Sequence, residues 1–182
     1  MRLPKWLFVQ KFSLILYFAC AVFLLIYALG FISNVYIFYA YGNKSLVDFY
    51  DAMQIVNKNF LWKAVLAIVF SVVFFILGLG KYPAGRFTLI ITIIICGFSI
   101  FFCVNSFISL ANSITHYTSL DFSSLNRYIE RGAISYNKTT LPYLLGFAGY
   151  TLFLLASFFV LITVIKNAVT VQVLVLDTEG KK

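Results

Sequence analysis

The chain has 182 residues, 62% of them hydrophobic and only 11% charged, with a mean hydropathy of +0.96. Soluble domains carry roughly 25% charged residues, and a water-soluble core able to bury this much apolar surface would need a far longer chain. The net charge of +8 would suggest nucleic acid in a soluble protein. Here the basic residues flank apolar runs, where they orient a membrane chain and meet anionic lipid, so no nucleic-acid partner is expected.

A helix needs about 20 mostly apolar residues to cross a hydrocarbon core. Four segments qualify, at about 12–40, 60–80, 87–114 and 141–165. The expected fold is an all-α integral membrane protein, a four-transmembrane-helix bundle over residues 1–167 with a cytoplasmic tail at 168–182. The first run exceeds the 7–15 residues of a cleaved leader's core and is expected to be retained. Lys63 is the one charged residue inside a run. It follows Trp62 and is expected to snorkel to the headgroups.

Lys and Arg set orientation. With the N-terminus in the cytoplasm, inner segments carry Arg2, Lys5, Lys11, Lys81, Arg86, Lys166, Lys181 and Lys182 against Asp177 and Glu179, a net +6. Outer segments carry Lys44, Lys58, Lys63, Arg127, Arg131 and Lys138 against Asp48, Asp51, Asp121 and Glu130, a net +2. Both termini are therefore expected in the cytoplasm of a plasma or bacterial inner membrane. Asn43-Lys44-Ser45 and Asn137-Lys138-Thr139 match the glycosylation pattern and fall in the outer loops.

The two outer hairpins share words in one order. Phe31-Ile32-Ser33 is matched by Phe107-Ile108-Ser109, Tyr41 by Tyr117, Ser45-Leu46 by Ser119-Leu120, and Asp48-Phe49 by Asp121-Phe122. This predicts two parallel-repeated helical hairpins. Each loop should hold a short amphipathic helix, beginning near Asp48 or Asp121 and laying Phe49 or Phe122 on the membrane. Ser45-x-x-Asp48 reads as a capping box with the shorter acid.

In the third run Thr92, Cys96, Ser99, Cys103 and Ser106 step by four and three, and Ser113 lies one heptad on. They form one narrow helix face. Helices associate in lipid through close packing and hydrogen bonds, which collects Gly, Ala, Ser and Thr at interfaces. The second run offers Ala64, Ala67, Ser71 and Gly78, and the fourth Gly146, Gly149 and Ala156. The stripe is expected to pack, with the third helix central. The alternative is a water path, with Asn105, Ser109 and Asn112 broadening it into an outer vestibule.

Chemistry is sparse. The cysteines Cys20, Cys96 and Cys103 all lie in apolar runs, so no loop disulfide is available. His116 is the sole histidine, too few for a metal site. No metal, cofactor or catalytic residue is expected. The tail alternates Val169, Val171, Val173 and Val175 with Thr170, Gln172, Leu174 and Leu176, which suggests a strand. Its apolar edge would need a partner, so these valines are the expected docking residues. Membrane lipids and another integral membrane protein or a second copy are the expected partners. The expected function is a non-enzymatic subunit supporting or regulating a larger membrane complex, plausibly a transporter. The alternative is a self-assembling channel or small-solute transporter.

Overall fold

The computed structural model describes residues 5–31, 35–77, 79 and 85–179; for 5–7, 35 and 170–179 it describes the backbone only. Its elements are α1 (Lys5–Gly30), α2 (Val35–Tyr41), α3 (Lys44–Ile76), α4 (Arg86–Ser119), α5 (Ser123–Glu130) and α6 (Leu141–Glu179). Four segments, Phe8–Gly30, Lys44–Ile76, Arg86–Ser119 and Leu141–Val169, are long and apolar enough to cross a membrane. No strand occurs among the described residues.

The long helices share one spacing. In α4 the buried face runs Thr92, Cys96, Ser99, Cys103, Ser106, Leu110, Ser113, Tyr117. In α3 it runs Phe60, Ala64, Ala67, Ser71, Phe74. Steps of three and four average 3.5 residues, which keeps a single seam turned toward neighbouring helices along the whole length. The helices close into a ring. α1 packs between α3 and α6, and α4 packs between the same two, so α1 and α4 face each other across the diagonal. Neighbours run antiparallel, as the pairs Ser13–Thr163 with Phe31–Tyr143 and Phe70–Phe98 with Phe49–Tyr117 require. The third long helix is therefore not central, contrary to the expectation. Four helices of equal girth leave room on the axis only for side chains.

Tyr17 occupies that axis. Its ring meets Phe74 of α3 at 5.3 Å and Phe153 of α6 at 4.8 Å, and its hydroxyl reaches Ser99 of α4 at 2.7 Å. One α1 side chain thus touches the other three long helices. Around it the usual polarity is inverted. Gln10, Ser13, Ser71, Ser99, Ser157, Thr163 and Asn167 are buried, while Ile15, Leu29, Ile76, Ile90, Phe101 and Leu155 are exposed. Such an exterior is what four helices apolar enough to cross a membrane would present to lipid.

At one end of the bundle a helical cap differs from expectation. The first apolar run ends its helix at Gly30 rather than continuing to Ala40, and α2 is a separate element. The amphipathic stretch around Phe49 is no separate helix but the opening turns of α3. Asn43, not Ser45, caps it, accepting from the Leu46 amide at 2.9 Å. In the second half the loop helix does exist, as α5; its N-cap is Phe122, and Asp121 just before it closes a turn by accepting from the Ser123 amide and hydroxyl at 2.9 and 2.7 Å. Phe49 and Phe122 do not lie against a membrane. Both are buried on Tyr117, at 5.9 and 5.3 Å between centroids, because the two loops pack on each other. Asn43 joins them, donating its backbone N–H to the Ser124 hydroxyl oxygen and its side-chain N–H to the Asp121 backbone carbonyl.

The tail differs too. α6 continues without a break to Glu179, so residues 168–179 are helix rather than strand. Extending a formed helix adds one hydrogen bond for each residue ordered, whereas a strand with no neighbour satisfies none of its backbone.

Candidate functional site

Polar side chains occupy successive levels of the bundle interior. At the level near the chain ends Gln10, Ser13, Thr163 and Asn167 are all 0–1% exposed. The Ser13 hydroxyl donates to the Gln10 carbonyl at 2.8 Å and shares a hydrogen bond of 3.0 Å with Thr163; the Asn167 amide donates to the Gln10 side chain. These pairs bind α1 to α6. Midway, Tyr17 and Ser99 bridge the diagonal. Toward the cap, the Lys63 ammonium donates to Asn105 Oδ1 at 2.5 Å and Ser106 Oγ at 3.1 Å, and Tyr150 of α6 is buried against Phe60 and Phe107.

The expected stripe lies wholly inside: Thr92, Cys96, Ser99, Cys103, Ser106 and Ser113 are all buried, and the cysteines are free. Its hydroxyls are largely satisfied within α4, Thr92 by Thr88, Ser99 by Ile95 and Ser113 by Ser109, each through the carbonyl one turn back. A hydroxyl satisfied in this way needs no water. The stripe is buried along with Ala64, Ala67, Ser71 and Ala156 on the neighbouring helices; Gly78 lies outside the described residues.

The expected vestibule is not gathered. Asn105 and Asn112 are exposed and Ser109 half-buried, because they lie on the flank of α4 rather than on its inward seam. A cavity of about 90 Å³ does exist at the cap end of the bundle, but other residues line it: Phe31, Phe49, Tyr50, Tyr117, Tyr136 and Tyr143 among them. The Tyr117 and Tyr136 hydroxyls hydrogen-bond at 2.7 Å beside it. Burial, then the bond to Tyr117, pushes the Tyr136 phenol well up from its ordinary value, so Tyr136 stays neutral. The cavity is thus aromatic, uncharged and able to donate and accept hydrogen bonds.

Lys63 corrects another expectation. It does not reach past Trp62 toward the surroundings but bends onto α4. His116 is exposed, with its ring edge on Phe49 at 5.0 Å. Among the described residues no three His, Cys, Asp or Glu side chains gather. Of the expected docking residues, Val169 is 53% exposed; the side chains of Val171, Val173 and Val175 lie outside the described residues. Asn137 is exposed in the extended segment before α6, whereas Asn43 is engaged as a cap.

Sequence reasoning missed the tyrosines that organise the interior. Tyr17 and Tyr27 in α1 and Tyr150 in α6 are buried. The signal was available: Gln10, Ser13, Tyr17, Leu24 and Tyr27 follow the same heptad seam in a run otherwise free to be Leu or Ile. No protein-family model, curated protein or solved structure matches this chain.

Proposed function

We propose that the chain is inserted in a plasma or bacterial inner membrane as a non-enzymatic subunit that supports or regulates a larger membrane complex, such as a transporter. Both termini lie in the cytoplasm in this reading, with the cap outside. An impermeant thiol reagent tests the orientation: a single cysteine at position 83 should stay unlabelled in intact cells.

The observation that carries the subunit reading is the length of α6. Beyond Lys166 it continues for 13 residues, about 20 Å of helix. From Ala168 to Leu176 that extension has no charge. It is too short to cross a bilayer, and it lacks the Lys/Arg face that holds a helix on anionic lipid. Burial against a partner protein is the arrangement that removes it from water. Deleting residues 168–182 should leave the four-helix core folded and release a co-purifying chain. Retention of every partner by the truncated form, or absence of any partner from the full-length form, would remove the support for this reading.

A second reading, a self-assembling channel or small-solute transporter, is favoured by the interior polar levels leading toward the outer aromatic cavity. Pure protein in liposomes that conducts or takes up solute would place it first.

A further inference from the structure

We infer that the outward face of α4, with Lys63 reaching it from α3, is a binding site for one anionic phospholipid, with Lys63 and Asn105 holding the phosphate and the notch at Gly97 receiving an acyl chain. Three observations meet there.

The first is an uncompensated cation. Lys63 is half-buried, and its contacts are Asn105 Oδ1, Ser106 Oγ and the Phe60 ring at 5.8 Å. Among the described residues no carboxylate reaches it. An ammonium has three donors, and two are used. The Asn105 side chain accepts from Lys63, which leaves its own amide N–H groups facing out from an exposed position. The seam therefore offers donors beside a positive charge, the chemistry that binds a phosphate oxygen.

The second is the notch. Ile94, Gly97, Phe98 and Phe101 line an open apolar groove on α4. A Cβ added at Gly97 would meet nothing within 4 Å. Gly97 is therefore not there to let another helix of this chain approach; it leaves a gap between exposed aromatic rings.

The third is alignment. Positions 94, 97/98, 101 and 105 recur at helical spacing, so groove and headgroup site share one face of α4. From Gly97 to Asn105 is about 12 Å along the axis, and from Arg86 to Asn105 about 28 Å. With Arg86 at one boundary of a ~30 Å core, Asn105 sits at the other and Gly97 nearer the midplane. A phospholipid of that leaflet has its phosphate and its chain at those two depths.

The test is native mass spectrometry of the full chain in mild detergent, titrated with phosphatidylglycerol, phosphatidylcholine or inorganic phosphate alone. One phosphatidylglycerol adduct should form in preference to phosphatidylcholine. Lys63→Gln should weaken it roughly tenfold, the loss of one charge-assisted hydrogen bond, and Lys63→Arg should restore it. Gly97→Leu should also weaken it, by filling the notch with no clash inside the chain. Asn105→Ala, at an exposed position, provides a variant whose folding is not at stake and should weaken binding less than Lys63→Gln. Equal binding of both lipids, or an unchanged adduct in Lys63→Gln and Gly97→Leu, overturns the site. Inorganic phosphate displacing the lipid at low millimolar concentration, with Gly97→Leu silent, overturns the lipid as its occupant.

Discussion

Two seams of the ring use similar residues to opposite ends. Along α1–α6, glycine allows closure. A Cβ at Gly146 would fall 2.3 Å from the Tyr27 hydroxyl and 3.0 Å from Leu110, and one at Gly149 would fall 2.6 Å from Phe23. The polar groups of this seam, Ser13 with Thr163 and Gln10 with Asn167, bond to each other across it. Along α3–α4, the rings of Phe70 and Phe102 stack at 6.2 Å and the polar bridge from Lys63 sits half-buried at the rim, while on the outward face of α4 beside it the glycine at position 97 faces open space. A small residue in an apolar helix thus has no single meaning. It closes a seam when a neighbouring side chain occupies its gap and opens a groove when none does.

The largest expected effect tests the closed seam. Gly146→Leu forces a branched side chain into Tyr27 and Leu110, and overpacking of that kind costs ~3 kcal/mol. Thermal unfolding in detergent should show it, while Gly97→Leu should stay within ~0.5 kcal/mol of the parent, as exposed positions do. Equal losses would mean the two seams do not differ.

Next comes the diagonal that ties the seams together. Ser99→Ala strands the buried Tyr17 hydroxyl and should cost ~1–3 kcal/mol. Combined with Tyr17→Phe the loss should be smaller than the sum of the single losses, since the pair vanishes together. Ser99→Leu should add steric strain to the lost bond, whereas Ile100→Leu, on another face of α4, should be mild. Additive behaviour in the double variant would show that the two groups do not interact.

The smallest effect concerns the cap. The Ser123 amide, then its hydroxyl, holds the Asp121 carboxyl below its usual value of 3.8. A depressed pKa means the contribution is present above the unfolded value and is lost as pH falls through the folded one. The protection of the Ser123 amide, measured against the intrinsic exchange rate at the same pH, should therefore fall below about pH 4, with α1–α6 protection unchanged. Asp121→Asn should remove most of this pH dependence. Acid sensitivity equal in both places would contradict a separate turn at the start of α5.

Much of the architecture could be read directly. Four runs of sufficient length and apolarity specify four long helices, because backbone groups in an apolar medium must bond within their own segment. The heptad of small residues from Thr92 to Ser113 marked the buried seam of α4 for the same reason: a face built from Ser and Cys has value only where another surface comes close. Asp121 was legible as the residue that opens α5 because its oxygens act on a neighbour two residues away, although the cap position itself fell to Phe122. Its counterpart was misread. In α3 the cap moved to Asn43, whose amide is also used across the hairpin by Asp121, a contact no local rule contains.

What the chain alone determined, then, was everything set by short-range periodicity and by solvation: helix number, inward seams, the apolar exterior and the charged ends. Tertiary structure alone decided which helix neighbours which, that Tyr17 fills the axis, that Lys63 turns onto α4, and that Gly97 faces a gap while Gly146 is filled. Those outcomes depend on pairs of side chains separated by 40 to 150 positions. The energy of such a pair belongs to neither residue until packing has brought the two together.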